Sequence, residues 1–304
     1  MSKHTLETSD FVFERPAINM HPIHVVGIGG CGCNIVQNLA NNPVKGVQYS
    51  IIDKTKRPEK NTILHQLVVE DETQTYLLNK IDDTECAIFI MVVGAAGKYN
   101  TPIVTELTSM VKNQVDEQPP TPVIVYTITP FDFENKKNLA ISNIETIREA
   151  GATIITFDNN ELRKYDVTID KGFKIVDDWI NSDLSFFSSF YDKESICYVD
   201  SNDIKTLLFN ADKALTVHKQ ATGERRVIDA TTALVDEISN HIQSARITGL
   251  LLSFVTSQEE ALTMAELYDS TELLRDYLSS SCSILWGCSY GDIKGVEISA
   301  IATY

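Results

Sequence analysis

The chain has 304 residues, 43% of them apolar, and a formal net charge of −16. That length holds one large or two ordinary domains with a full core, and the acidic balance argues against direct binding to nucleic-acid backbones or anionic lipid. The six cysteines follow no framework pattern, no apolar run is long enough to span a bilayer, and Met1-Ser2-Lys3-His4-Thr5-Leu6-Glu7 has no apolar signal core, so a soluble cytoplasmic protein with no membrane partner is expected.

Residues 1–22, with Pro16 and Pro22, read as an extended arm. Ile23-His24-Val25-Val26 is a β-branched run that feeds Gly27-Ile28-Gly29-Gly30-Cys31-Gly32-Cys33-Asn34, and Ile35 to Leu39 has helical apolar spacing. The reading is strand, glycine loop, helix. Glycines there let the backbone approach a ligand, and a helix start offers free N–H groups to an anion, so a phosphate is the expected guest. Gly27, Gly29 and Gly32 also satisfy the G-x-G-x-x-G dinucleotide fingerprint, with Asp53 at the end of the next strand as an acidic ribose partner. The loop alone leaves NAD and a nucleoside triphosphate both open. Cys31 and Cys33 read as small fillers, because a lone C-x-C pair is a poor zinc site, and no protein metal site is expected.

Gly46 to Asp53 is a second strand, followed by a polar surface loop from Lys54 to Asn61. Cys86 to Val93 is continuous in apolar residues, as in a parallel sheet covered on both faces, and opens into Gly94-Ala95-Ala96-Gly97-Lys98-Tyr99-Asn100, with a helix from Pro102. Pro122 to Ile128 is a further strand, ended by Thr129-Pro130-Phe131-Asp132-Phe133-Glu134. A helix over Ala140–Ala150 closes at Gly151, and Thr153 to Phe157 is a strand. This alternation predicts a doubly wound parallel sheet of Rossmann-like α/β class, with ligands outside the carboxyl ends of its strands. A long helix over Lys171–Tyr191 carries the apolar stripe Phe173, Val176, Trp179, Ile180, Leu184 and Phe187, read as core. Beyond it, helices mix with strands near Gly249–Val255, Ser283–Trp286 and Gly295–Thr303, which suggests a smaller α+β domain. Asp200 and Asp203 before a helix read, by themselves, as an N-cap.

Taken together, these loops resemble the FtsZ/tubulin superfamily, specifically divergent FtsZ-like or phage and plasmid tubulin-like proteins. Gly27 to Asn34 is similar to that family's first nucleotide loop, and Thr129 to Glu134 to its ribose loop, with Glu134 at the ribose-binding acid. Val199-Asp200-Ser201-Asn202-Asp203-Ile204 resembles its synergy loop, and Ile284-Leu285-Trp286-Gly287 with Ile298 to Thr303 its last two strands. The ordered set runs from Ile23 to Tyr304. The resemblance implies a nucleotide-binding domain over 23–169, a central linking helix over 170–191 and an α+β domain over 192–304. It implies binding of GTP or GDP with Mg²⁺ and head-to-tail filaments of the chain itself. For a phage-encoded chain the setting would be a bacterial cytoplasm.

The nucleotide contacts so implied are Gly27, Gly29, Gly30, Cys31, Gly32 and Asn34, then Gly94, Ala95, Ala96, Gly97 and Lys98, then Pro130 and Glu134, with Asn159 and Asp177 at the base and Asp53 in either nucleotide reading. Asp200 and Asp203 of a neighbouring copy would orient the attacking water, since phosphoryl transfer is catalysed mainly by positioning and charge. Three departures qualify the resemblance. The triphosphate loop at Gly94 is short and crowded by side chains, leaving Lys98 either a point charge on a phosphate or a solvated lysine. The glycine-rich loop expected between Asp53 and Cys86 is missing, and Asn138 stands where a ribose-contacting Arg is common. The last strand runs to Thr303-Tyr304, so no FtsZ-type terminal adaptor peptide is expected. Beside a slow GTPase filament, the sequence therefore supports a structural protein that kept the fold and lost hydrolysis. An NAD-dependent oxidoreductase stays open on the first loop alone, with no Tyr-x-x-x-Lys or histidine constellation behind it.

Overall fold

The computed structural model describes residues 21–58, 63–68, 86–113, 119–192 and 195–304. The arm up to residue 20, and residues 69–85 where a glycine-rich loop would have fallen, lie outside the described residues. Strands β1 (Ile23–Ile28), β2 (Val47–Asp53), β3 (Leu64–Val68), β4 (Ile88–Gly94), β5 (Val123–Thr129) and β6 (Thr153–Asp158) form a parallel sheet in the order β3-β2-β1-β4-β5-β6. Helices cover both faces. In β1, Ile23 and Val25 enter a core shared with α1 (Gly29–Leu39) and α4 (Ile169–Ser189), whereas Val26 and Ile28 face α2 (Asn100–Lys112) and α3 (Lys137–Glu149). Burial on both faces is why these strands read as unbroken apolar runs.

The second sheet has the order β7-β10-β8-β9, from β7 (Ala214–Ala221), β8 (Gly249–Thr256), β9 (Ser283–Tyr290) and β10 (Val296–Thr303). In it β10 runs antiparallel to β7 and β8, and β8 runs parallel to β9. Helices α6 (Arg226–His241) and α7 (Met264–Tyr277) cover its apolar face, and α5 (Ser201–Phe209) leads into β7. Among the described residues no helix is long and apolar enough to cross a membrane.

Helix α4 ties the sheets together. Asp183, fully buried on it, accepts from the Tyr126 hydroxyl of β5 at 2.8 Å and the Thr216 hydroxyl of β7 at 2.9 Å. It also bonds His218 Nε2 at 2.6 Å, and His218 Nδ1 meets Ser299 of β10 at 2.8 Å. Burial, then the Asp183 charge and hydrogen bond, hold the Tyr126 phenol well above its usual pKa, so it stays protonated. The direction of α4 follows from its ends. Gly172 packs on Leu162 just beyond the carboxyl end of β6, while Ser188 donates to Lys45 O at the amino end of β2. With 21 residues, α4 runs about 30 Å along one face of the first sheet, from beyond the carboxyl ends of its strands to their amino ends.

Candidate functional site

The order of the first sheet reverses between β1 and β4, and the crevice outside their carboxyl ends is where a doubly wound sheet takes its ligand. The expected glycine loop is not a separate element. Gly29 takes a left-handed φ of 67°, which turns strand directly into helix, so Gly29, Gly30, Cys31 and Gly32 form the first turn of α1. No side chain caps that turn and no acidic residue lies in it, leaving its N–H groups and positive dipole end toward the crevice. The glycines divide by task. A Cβ on Gly32 would overlap the Val92 carbonyl, and one on Gly27 would lie 2.5 Å from Gly32 O, so these two let α1 lie close against β1 and β4. A Cβ on Gly30 would meet nothing within 4 Å, so its open side faces any guest.

The second loop, Gly94 to Lys98, keeps part of its hydrogen-bonding capacity for itself. Ala95 N–H donates to Ile128 O at 2.8 Å, Gly97 N–H to Gly94 O at 3.1 Å, and the Asn143 amide donates to Ala95 O at 2.8 Å. Helix α2 starts at Asn100, two residues before the expected Pro102, and the Asn100 side chain fills the space beside both Gly29 and Gly97. Lys98 is exposed.

Two clefts flank the start of α1. The larger, about 480 Å³, runs between α1 and α4 and is lined by Cys31, Asn34, Gln37, Asn38 and Asn41, by Phe131 and Glu134 after β5, and by Asn159, Phe173, Val176 and Asp177. Its volume suits a small-molecule ligand. Five of the expected contacts (Cys31, Asn34, Glu134, Asn159 and Asp177) meet here. Asp177 accepts from the Asn38 amide at 2.9 Å, and burial raises its carboxyl above the ordinary range. Glu134 accepts from Phe131 N–H at 3.1 Å. Cys31 is exposed at the cleft, where desolvation by its walls, then the charges of Asp177 and Glu134, push its thiol up to about 11, so it faces the cleft as a neutral group. Asn159 Oδ1 is buried with no hydrogen-bond partner among the described residues. Phe173 departs from the expected core stripe: it is 49% exposed and forms part of the cleft wall.

The smaller cleft, about 210 Å³, lies over Gly29 and Gly30, with Asp53, Lys54, Tyr99 and Asn100. Asp53 lines this cleft, its Oδ2 accepting from Arg57 Nε at 2.6 Å and its Oδ1 from Lys54 N–H at 2.8 Å, which leaves fewer of its lone pairs for a ribose hydroxyl. Arg57 also reaches Asn34 Oδ1 at 2.6 Å and Gly30 O at 3.3 Å, placing a guanidinium beside the first turn of α1. Lys54 Nζ sits 3.4 Å from the centre of the Tyr99 ring across the mouth of this cleft. Sequence reading passed over Arg57 inside a polar run, although Asp53 and Arg57 stand at the i, i+4 spacing of an acid–base pair. Gly27, Gly32, Gly94, Ala95, Ala96, Gly97, Lys98 and Pro130 line neither cleft.

Asp200 and Asp203 lie at the opposite end of the molecule. Asp200 caps α5, accepting from Asn202 N–H at 2.7 Å, while Asp203 is exposed beside a cleft formed with Thr206, Asn210 and the ends of β8, β9 and β10. The end of α5 packs under the amino end of β6, where Thr153 donates to Leu208 O and Ala211 O. The length of α4 separates these acids from Asp177 and Phe173, so within one copy they cannot meet.

No family model matches the chain. It is similar to cell division protein FtsZ 2 of Rhizobium meliloti, 21% identical over 96% of this chain and 90% of that one. Among solved structures it superposes on an empty FtsZ dimer from M. jannaschii with a TM-score of 0.75 at 17% identity, covering 94% of this chain and 89% of the other. A GTPγS-bound protofilament of CetZ2 from Haloferax volcanii matches with a TM-score of 0.72 at 13% identity, covering 92% of each chain.

Proposed function

We propose that this chain, a divergent FtsZ/tubulin superfamily protein with the two-sheet fold of that superfamily, binds a guanine nucleotide and assembles head to tail into filaments. The observation that supports this most is the unpartnered, buried Asn159 Oδ1 in the wall of the α1–α4 cleft, because a buried acceptor without a donor is costly and a base bearing N–H groups would satisfy it. In this reading the base lies against Phe173 and gives its N1–H and exocyclic amine to Asp177, a pattern that guanine offers and adenine does not. Glu134 accepts from ribose hydroxyls. The phosphates follow the open side of Gly30 across the first turn of α1, where the dipole and the Arg57 and Lys54 charges offset theirs. Mg²⁺ would be held largely by the phosphates, as is usual for a cation that keeps several of its waters.

Hydrolysis, in the same reading, requires a second copy. Asp200 and Asp203 lie beyond the far end of α4 from the cleft of their own chain, and the helix from Asp177 to Ser189 alone rises about 18 Å. Stacking one copy on the next brings those carboxylates to a neighbour's phosphates, where they can orient a water without forming any covalent bond. The internal hydrogen bonds of Ala95 and Gly97 favour a second reading, a filament that binds nucleotide without turning it over, since fewer donors remain for a triphosphate.

The test is GTP binding, sedimentation and phosphate release with Mg²⁺, with an equal mixture of Asp203→Ala and a binding-deficient Gly30 variant alongside. Turnover restored by mixing two inactive variants supports the shared site. Nucleotide-dependent pelleting with no turnover selects the second reading, and absence of guanine-nucleotide binding overturns both.

A further inference from the structure

The segment that carries Asp200 leaves α4 and, before α5 begins, makes one short antiparallel bridge to the edge strand β9, with Cys197 opposite Cys288. The two residues exchange both backbone bonds, Cys197 N–H to Cys288 O at 3.1 Å and Cys288 N–H to Cys197 O at 3.3 Å. Residues so paired project their side chains to the same face with Cα atoms about 5.5 Å apart, near the middle of the range that disulfides adopt. Both thiols are free, and both pack in the apolar cluster of the second sheet. Cys288 is buried and Cys197 partly open. Burial, and then Cys197 beside it, holds the Cys288 thiol above its ordinary pKa.

We propose that Cys197 and Cys288 form a disulfide on oxidation by a low-molecular-weight disulfide, and that this bond pins the start of α5 to the second sheet. The more accessible Cys197, as thiolate, attacks one sulfur of the oxidant, forming a mixed disulfide and releasing one thiolate. Cys288, once deprotonated, attacks the Cys197 sulfur and expels the second. The two protons lost by the cysteines end on the two released thiols, so the oxidant is reduced by two electrons and the chain is oxidised by two. Cβ atoms of a hydrogen-bonded pair start about 5.5 Å apart and must close to about 3.8 Å. The incoming segment can supply that shift, because among the described residues its main-chain ties to β9 are the bonds just named and Ile196 N–H to Cys288 O at 2.8 Å. Asp200 is three residues further along and caps α5, so the covalent bond shortens the free tether of the acids to those three residues.

The test reads the covalent bond and backbone protection, and so stands apart from the nucleotide reading. The full chain is incubated with oxidised glutathione, then alkylated and mapped by peptide mass. The expected result is loss of two hydrogens per chain, a linked Cys197–Cys288 peptide pair, and amide exchange over 198–204 slowed several-fold. Cys197→Ser and Cys288→Ser abolish both effects, and Cys282→Ser leaves them intact. Glutathione persisting on Cys197, two free thiols, or a link elsewhere overturns the proposal, and a correct link with unchanged exchange overturns the pinning.

Discussion

Gly30 and Gly32 stand two residues apart in one turn of helix, yet a single methyl group at each should act on different properties. At Gly32 the new Cβ would fall well inside 3.0 Å of the Val92 carbonyl oxygen and 2.8 Å from its carbon, and backbone cannot swing aside. Helix α1 must back away by roughly 1 Å, which costs about 1–3 kcal/mol as overpacking and loosens the buried Cys33, Ile35, Val36 and Leu39 behind it. The upper end, about 3 kcal/mol, corresponds to a Tm roughly 5 °C lower at this chain size. At Gly30 the Cβ enters open space, so Gly30→Ala should leave Tm unchanged or raise it by the helix propensity of alanine, up to about 1 kcal/mol. The same methyl stands where a phosphate would approach, and binding of a fluorescent GTP analogue should weaken at least tenfold. Melts followed by circular dichroism and titrations on the same samples give both numbers. Equal melting of the two variants would refute the packing argument, and undiminished binding by Gly30→Ala would refute the assignment of its open side to the guest.

Asp177→Asn should weaken GTP binding by about 10- to 100-fold, the loss of charge-assisted acceptance, and narrow the preference for GTP over ATP in competition titrations. Without nucleotide the same variant should melt slightly higher at neutral pH. The folded state raises the Asp177 pKa, so the stability this group contributes is present below the ordinary carboxylate range and is lost as pH rises through the raised value; asparagine does not titrate. Wild type and variant should therefore converge in Tm as the pH falls below that range. Asp200→Ala removes the α5 cap and should cost about 1 kcal/mol, whereas Asp203→Ala should change Tm little and abolish phosphate release; equal melting of the two would separate Asp200 from capping. Asp183→Ala leaves Tyr126, Thr216 and His218 facing an empty site and should cost about 3–5 kcal/mol by urea denaturation, with Asp183→Asn milder.

The first sheet was legible because its strands are buried on both faces: Ile88 to Gly94 has no polar side chain to interrupt it, and Gly29, Gly94 and Gly151 punctuate the alternation of strand and helix. Strands β3 and β7 were missed for the complementary reason. Leu64-His65-Gln66-Leu67-Val68 lies at a sheet edge and is only partly buried, and Ala214 to Ala221 mixes Thr, His, Lys and Gln because Thr216 and His218 serve Asp183 and Ser299 while Lys219 and Gln220 reach Glu237 and Lys294 O. Periodicity could not tell a glycine loop from the first turn of α1, since both lack side chains; only the left-handed φ at Gly29 decides it. The lining of the large cleft was half legible. Cys31, Asn34, Glu134, Asn159 and Asp177 follow from the ordered motifs, but Asn38 and Phe173 depend on how α4 crosses α1. Phe173 belongs to the apolar stripe by spacing and to the cleft by geometry, and no one-dimensional pattern separates the two. The Asp183 network joins residues 57, 33 and 35 positions apart, which no local rule reaches.

Helix α4 is the element through which the two ends of the molecule can influence each other. Phe173, Val176 and Asp177 near its start form one wall of the cleft, Asp183 in its middle bonds to both sheets, and its end leads through Cys197 to Asp200. A close-packed interior does not absorb a tilt of such a rod locally. A guest that displaces Phe173 or Asp177 therefore acts on the Asp183 bonds, and these are unequal. Thr216 and His218 both lie on β7, and His218 is itself tied to β10, whereas among the described residues the first sheet holds Asp183 through Tyr126 alone. Were α4 to tilt, the Tyr126 bond would be the one given up and the second sheet would travel with the helix. The carboxylate keeps two partners in that event, but the fully buried Tyr126 hydroxyl loses its acceptor, so the exchange costs about 1–3 kcal/mol. A cost of that size lies within the coupling energies by which one site biases another.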